Sequence, residues 1–104
     1  MIQLVLTTFP SVSQAGTIAR QLVRARLAAC ATLVPGVTSI YTWNESLEEQ
    51  QECLLMLKTT RDCVKKLQIE IRKLHPYEVP EILLFEVNSC LSAYTEWVKY
   101  SCTQ

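Results

Sequence analysis

An α+β domain is predicted, with a four-stranded antiparallel sheet, two long helices on one face and a short helix at the end. Three observations predict it. Four short apolar or alternating runs have strand-like lengths. Two intervening stretches repeat apolar residues at helical spacing behind a Ser or Thr cap. Only a brief polar segment separates the second and third runs, as in a hairpin.

The elements follow in order. Residues 2–8 set Ile2, Leu4 and Leu6 against Gln3, Val5 and Thr7, which reads as a first strand. Pro10-Ser11 stops it, and Ser11 with Gln14 makes a capping-box pattern. Ala15, Ile18, Ala19, Leu22 and Val23 then form one helical stripe, expected to fade near residues 27–29. Residues 31–43 read as a second strand with a bulge or bend at Pro35-Gly36. A polar turn is expected over 44–49 and a third strand over 51–59. Thr59-Thr60-Arg61-Asp62 opens a second helix through its threonine cap and first-turn acid. Val64, Leu67, Ile71 and Leu74 line that helix, and His75-Pro76 ends it. A fourth strand over 82–87 and a terminal helix over 92–100 complete the chain. The order β-α-β-β-α-β plus a short C-terminal helix is that of a ferredoxin-like fold, with strand order 4-1-3-2 or its mirror reading.

At 104 residues the chain is one domain, 1–104. Ten basic residues balance ten acidic ones, which speaks against nucleic acid as a partner. The start of the chain lacks a basic–apolar leader, and no apolar run reaches the roughly eighteen residues of a membrane span. A cytoplasmic location with no membrane partner is expected. The five cysteines are odd in number, and the closest two lie ten positions apart. That spacing suits neither a zinc site nor a disulfide framework, so they read as thiols acting as small apolar residues.

Two helices cover one sheet face, yet two strands look apolar on both. Cys53, Leu55 and Leu57 point opposite Leu54 and Met56, and Leu83, Phe85 and Val87 opposite Ile82 and Leu84. Leaving three or four such side chains in water forgoes roughly 8–15 kcal/mol. Self-association through the helix-free face is therefore expected; the alternative is that the tail and hairpin fold over it.

His75-Pro76-Tyr77-Glu78-Val79-Pro80-Glu81-Ile82 holds the one histidine between two prolines and beside two carboxylates. Each proline fixes its own φ and biases His75 or Val79 to extended geometry, so the loop should present its polar groups in a defined arrangement. Imidazole with carboxylate suits copper or zinc. His75 also fits a helix C-terminal residue that engages the last carbonyls. Tyr41, Trp43, Tyr77 and Trp97, with Tyr94, Lys58 and Glu48, read as core or interface packing or as a pocket shared between subunits. Gly16 and Gly36 are the only glycines, no serine or cysteine stands in a nucleophile elbow, and no arginine follows the first strand, so an enzyme is not expected.

Arg26-Leu27-Ala28-Ala29-Cys30, residues 34–43 (VPGVTSIYTW), Leu57-Lys58-Thr59-Thr60 and the His75–Ile82 loop together resemble the CutA family, in the family's order and over nearly the whole chain. The resemblance implies a ferredoxin-like homotrimer built by strand pairing between subunits, similar in architecture to PII signalling proteins. It implies a non-enzymatic role in divalent metal ion tolerance, with copper bound in some members. The ligands it implies are a cysteine late in the first strand, the histidine of the HPY motif and a following glutamate. Here these positions hold Thr7, His75 and Glu81. Threonine is no thiolate, so the implied cation is Cu(II) or another divalent ion, held by His75 and Glu81 near a subunit interface and not required for folding. The alternative is a PII-like regulatory or scaffold trimer. Its intersubunit pocket, drawn from Thr7, Tyr41, Trp43, Lys58, Tyr77, Glu78 and Trp97, would take a small anion or a partner protein.

Overall fold

In a computed structural model that describes residues 2–102, Ser11 stands in extended geometry and its Oγ accepts the Gln14 N–H at 3.1 Å. That cap launches α1 (Val12–Arg24) directly after strand β1 (Ile2–Phe9). The helix stops three residues before the expected fade, because Arg26 takes a left-handed φ of 62°. Leu27 N–H then reaches the Leu22 carbonyl at 3.1 Å, and Arg26 N–H reaches that of Val23 at 3.0 Å, a Schellman closure without glycine. The Arg26 guanidinium is used elsewhere: it donates to the Ser101 carbonyl at 3.1 Å and the Tyr100 carbonyl at 2.5 Å.

Strand β2 (Cys30–Trp43) and strand β3 (Ser46–Thr60) form one long antiparallel hairpin. The expected irregularity is present as a register shift between Val34 and Val37, with Gly36 at φ 70°. The polar turn is shorter than predicted. Asn44 and Glu45 alone turn the chain, both at positive φ (50° and 65°), as a two-residue hairpin loop of that hand requires. Residues 46–50 are therefore strand, paired out to Trp43↔Ser46.

Thr60 caps α2 (Arg61–Leu74), accepting the Cys63 N–H at 3.3 Å. The helix ends where proline demands it: His75, before Pro76, is extended at φ −72° and ψ 135°. Strand β4 (Ile82–Glu86) and helix α3 (Ser92–Ser101) follow.

The sheet order is β2-β3-β1-β4, the mirror reading of the predicted order, with every neighbour antiparallel. Register sorts the side chains by face. Val5 opposes Leu57, and Thr7 opposes Leu55 and Ile82. Val5, Leu55 and Leu57 are fully buried in one core with Leu22 of α1 and with Leu67 and Ile71 of α2. On the other face Leu4 opposes Phe85 and Leu6 opposes Leu83. There Leu83 and Phe85 remain 45% and 47% exposed. Helix α3 does not cover them. Its Val98 joins Ile2, Ala29, Cys63 and Cys102 in a second, smaller cluster.

Candidate functional site

The His75–Ile82 loop connects α2 to β4 and runs past the end of β1. Burial of His75 is nearly complete, and its ring stacks on Phe9 with centroids 4.3 Å apart and planes 16° off parallel. Both ring nitrogens are engaged by backbone. Nε2 lies 2.8 Å from the Thr8 carbonyl, and Nδ1 accepts the Tyr77 N–H at 3.1 Å. Those partners fix the neutral tautomer, with the proton on Nε2 directed at Thr8. Burial lowers the imidazole pKa below its usual 6.5, and the Thr8 carbonyl and the Glu52 charge partly oppose that shift.

Tyr77 continues the arrangement. Its hydroxyl donates to Glu52 Oε2 at 2.6 Å, while Ser39 Oγ donates to Glu52 Oε1 at 2.6 Å. Tyr77 and Ser39 thus hold one carboxylate between the loop and the long hairpin. Desolvation pushes the Tyr77 phenol pKa up, with Glu52 and then Tyr41 adding to it. Glu52 and Ser39 were absent from the sequence-derived site. The available signal was an acid placed directly before the apolar run Cys53-Leu54-Leu55-Met56-Leu57.

The expected pocket residues fall into separate places. Tyr41 and Trp43 are exposed (43% and 57%) towards the hairpin tip, Tyr41 close enough to Tyr77 to act on its titration. Lys58 lies on the helix-free side of β3, where Nζ donates to Thr32 Oγ1 at 2.5 Å and stands 3.9 Å from Cys30 Sγ. Trp97 lines an open groove of about 430 Å³ between α1 and the edge strand β2, floored by Ala19, Ala31 and Leu33 and flanked by Arg20 and Arg24. Glu78 and Glu81 are exposed on the loop. Thr7 is fully buried, and its Oγ1 has no hydrogen-bond partner.

These residues do not form a finished metal centre within one chain. The lone pair of His75 Nδ1 is taken by the Tyr77 amide, and Nε2 carries the proton. Among the described residues no group of three His, Cys, Asp or Glu side chains converges. Coordination by His75 requires that the Tyr77 amide first let go.

Comparison with known proteins agrees with this fold. Residues 3–101 match the family described as CutA1 divalent ion tolerance protein. The chain is 46% identical over 99 residues to the divalent-cation tolerance protein CutA of Thermus thermophilus, covering 95% of this chain and 96% of that one. It is 42% identical over 92 residues to human protein CutA, covering 88% of this chain but 51% of the human protein, so it spans about half of that relative. The solved structure of the Thermus thermophilus divalent cation tolerance protein superposes with a TM-score of 0.94 at 44% identity, covering 99% of this chain and 100% of that one. A protein from Archaeoglobus fulgidus described as a periplasmic divalent cation tolerance protein superposes at 0.95, with 25% identity over 99% of this chain and 100% of that one.

Proposed function

The chain belongs to the CutA1 divalent ion tolerance family, and from that premise we propose that it serves divalent-cation tolerance without catalysis, as a cytoplasmic homotrimer holding a cation near its subunit interfaces. The observation that carries the reading is the exposed apolar surface of β4. Leu83, Leu84 and Phe85 are each 45–47% exposed on an edge strand, a surface that suits burial against a neighbouring subunit. The cation ligands are the exposed Glu81 carboxylate and, once its ring is released from Tyr77, His75. With Thr7 in place of a thiolate, nitrogen and oxygen donors favour Cu(II) or zinc over Cu(I).

Calorimetric titration of Cu(II) and Zn(II) into wild type and Glu81→Gln tests the ligand assignment. An affinity at least about tenfold weaker in the variant is expected, matching a ligand worth roughly 1.4 kcal/mol or more. Equal binding, or none to either protein, removes the site. No helix among the described residues is long and apolar enough to cross a membrane. Fractionation of cells expressing the native gene checks the proposed cytoplasmic location directly.

A second reading is favoured by the groove between α1 and β2. Arg20 and Arg24 beside the Trp97 ring offer two guanidinium groups and an aromatic surface to a small anion. In this PII-like reading the trimer is a regulator or scaffold. A thermal-shift screen of anionic metabolites, repeated on Arg20→Ala and Arg24→Ala, separates it from cation binding.

A further inference from the structure

Four elements meet at the C-terminal end of the chain: the final turn of α3, the first turn of α2, the end of β3, and Ala29 just before β2. Cys63 and Cys102 lie there in one buried cluster, 1% and 4% exposed, and neither is in a disulfide. Cys63 Sγ donates to the Cys102 carbonyl at 3.0 Å, which sets its sulfur directly against the Cys102 residue. Thr59 Oγ1 stands 3.7 Å from Cys102 Sγ and donates to the Leu27 carbonyl at 2.7 Å.

We propose that Cys63 and Cys102 form a dithiol–disulfide pair, whose closure by a low-molecular-weight disulfide bonds the C-terminal helix to the start of α2. This goes beyond the cation reading and does not depend on it.

The chemistry divides between the two sulfurs. Cys63 sits in the first turn of a fourteen-residue helix, its own N–H donated to Thr60 Oγ1 at 3.3 Å. Burial raises the Cys102 thiol's pKa, which makes it the slower nucleophile. The Cys63 thiolate attacks one sulfur of the small disulfide, forming a mixed disulfide and expelling a thiolate that takes up the Cys63 proton. Cys102 then attacks the Cys63 sulfur, and the second small thiolate leaves with the Cys102 proton. Two protein thiols are oxidised and one small disulfide is reduced to two thiols, so electrons and protons balance.

Access is the controlling step, because neither sulfur meets solvent in the closed fold. The Arg26 guanidinium fastens the end of α3 through the Tyr100 and Ser101 carbonyls. Release of that latch opens the pair. The remaining thiols are placed differently: Cys53 is fully buried in the main core, Cys30 is half-buried and Cys90 is exposed.

The test oxidises the native protein with glutathione disulfide, blocks residual thiols, and maps the peptides by mass spectrometry. The expected result is loss of two of the five thiols, a peptide pair joining Cys63 to Cys102, and no such loss in Cys63→Ala. Arg26→Gly, which keeps a residue suited to the left-handed backbone, should reach the same end point several-fold faster. A Cys30–Cys90 linkage in place of the predicted one, links only between chains, or retention of all five thiols overturns the proposal.

Discussion

The two faces of the sheet are built from the same kinds of residue and end in opposite conditions. On the helix-covered face Val5, Leu55 and Leu57 are fully buried against α1 and α2. On the other, Leu83 and Phe85 keep almost half their surface in water, although they alternate with apolar neighbours just as regularly. Apolar character alone therefore does not say whether a side chain is covered within its own chain. The covered face holds this chain together, and the uncovered face is the one the proposed self-association would bury.

The largest effect should come from the covered face. Leu57→Ala leaves a cavity beneath two helices and should lower unfolding free energy by about 3 kcal/mol, read by urea denaturation. If the loss is below about 1 kcal/mol, the two faces differ less than the burial indicates. Phe85→Asp should act on the other quantity. Helical circular dichroism persists, while sedimentation moves towards the 11.9 kDa subunit. A variant that unfolds instead makes the β4 surface part of the subunit core. Between the faces lies the Tyr77–Glu52 contact, where Tyr77→Phe removes a hydrogen bond to a charged acceptor and should cost about 1.5 kcal/mol.

The pH dependence sharpens the same comparison for the buried loop. The folded His75 pKa is depressed, so the unfolded histidine binds a proton that the folded one refuses. The associated stability is present above 6.5 and is lost as pH falls from there towards the depressed folded value. Thermal midpoints measured from pH 7.5 downwards should show this slope in wild type and flatten in His75→Asn. Smallest of all is Arg61→Ala. It removes an exposed pair with Glu86 at 2.8 Å and should leave the melting curve within its error.

Much of the fold was legible because local chemistry specified it. Ser11 and Thr60 cap the helices they were expected to cap, Pro76 stops α2, and Pro35-Gly36 breaks the β2–β3 register. The hairpin was longer than its sequence indicates. Residues 46–51 are mostly polar and lie in a ribbon with solvent on both sides, so alternation carries no signal there. Asn44-Glu45 also lacks the glycine that usually announces so tight a turn. The candidate site was legible as an ordered loop but not in its bonding. The partner of the His75 ring, Thr8, is 67 residues away, and Glu52 lies 25 residues from Tyr77. The cysteines show the same limit. Read one at a time they are small apolar residues, whereas packing brings Cys63 and Cys102 together across 39 positions.

The long hairpin has a consequence in time as well as in space. Its strands are joined by two residues, so its contacts close small loops, whereas β4 must find β1 across almost the whole chain. The ribbon can zip before the edge strand docks, and the exposed β4 surface is completed last. Refolding should thus show hairpin formation in a fast, concentration-independent phase, with Trp43 near its tip as the reporter. Under the proposed self-association, burial of Leu83 and Phe85 against other chains belongs to a later, second-order phase whose rate rises with protein concentration.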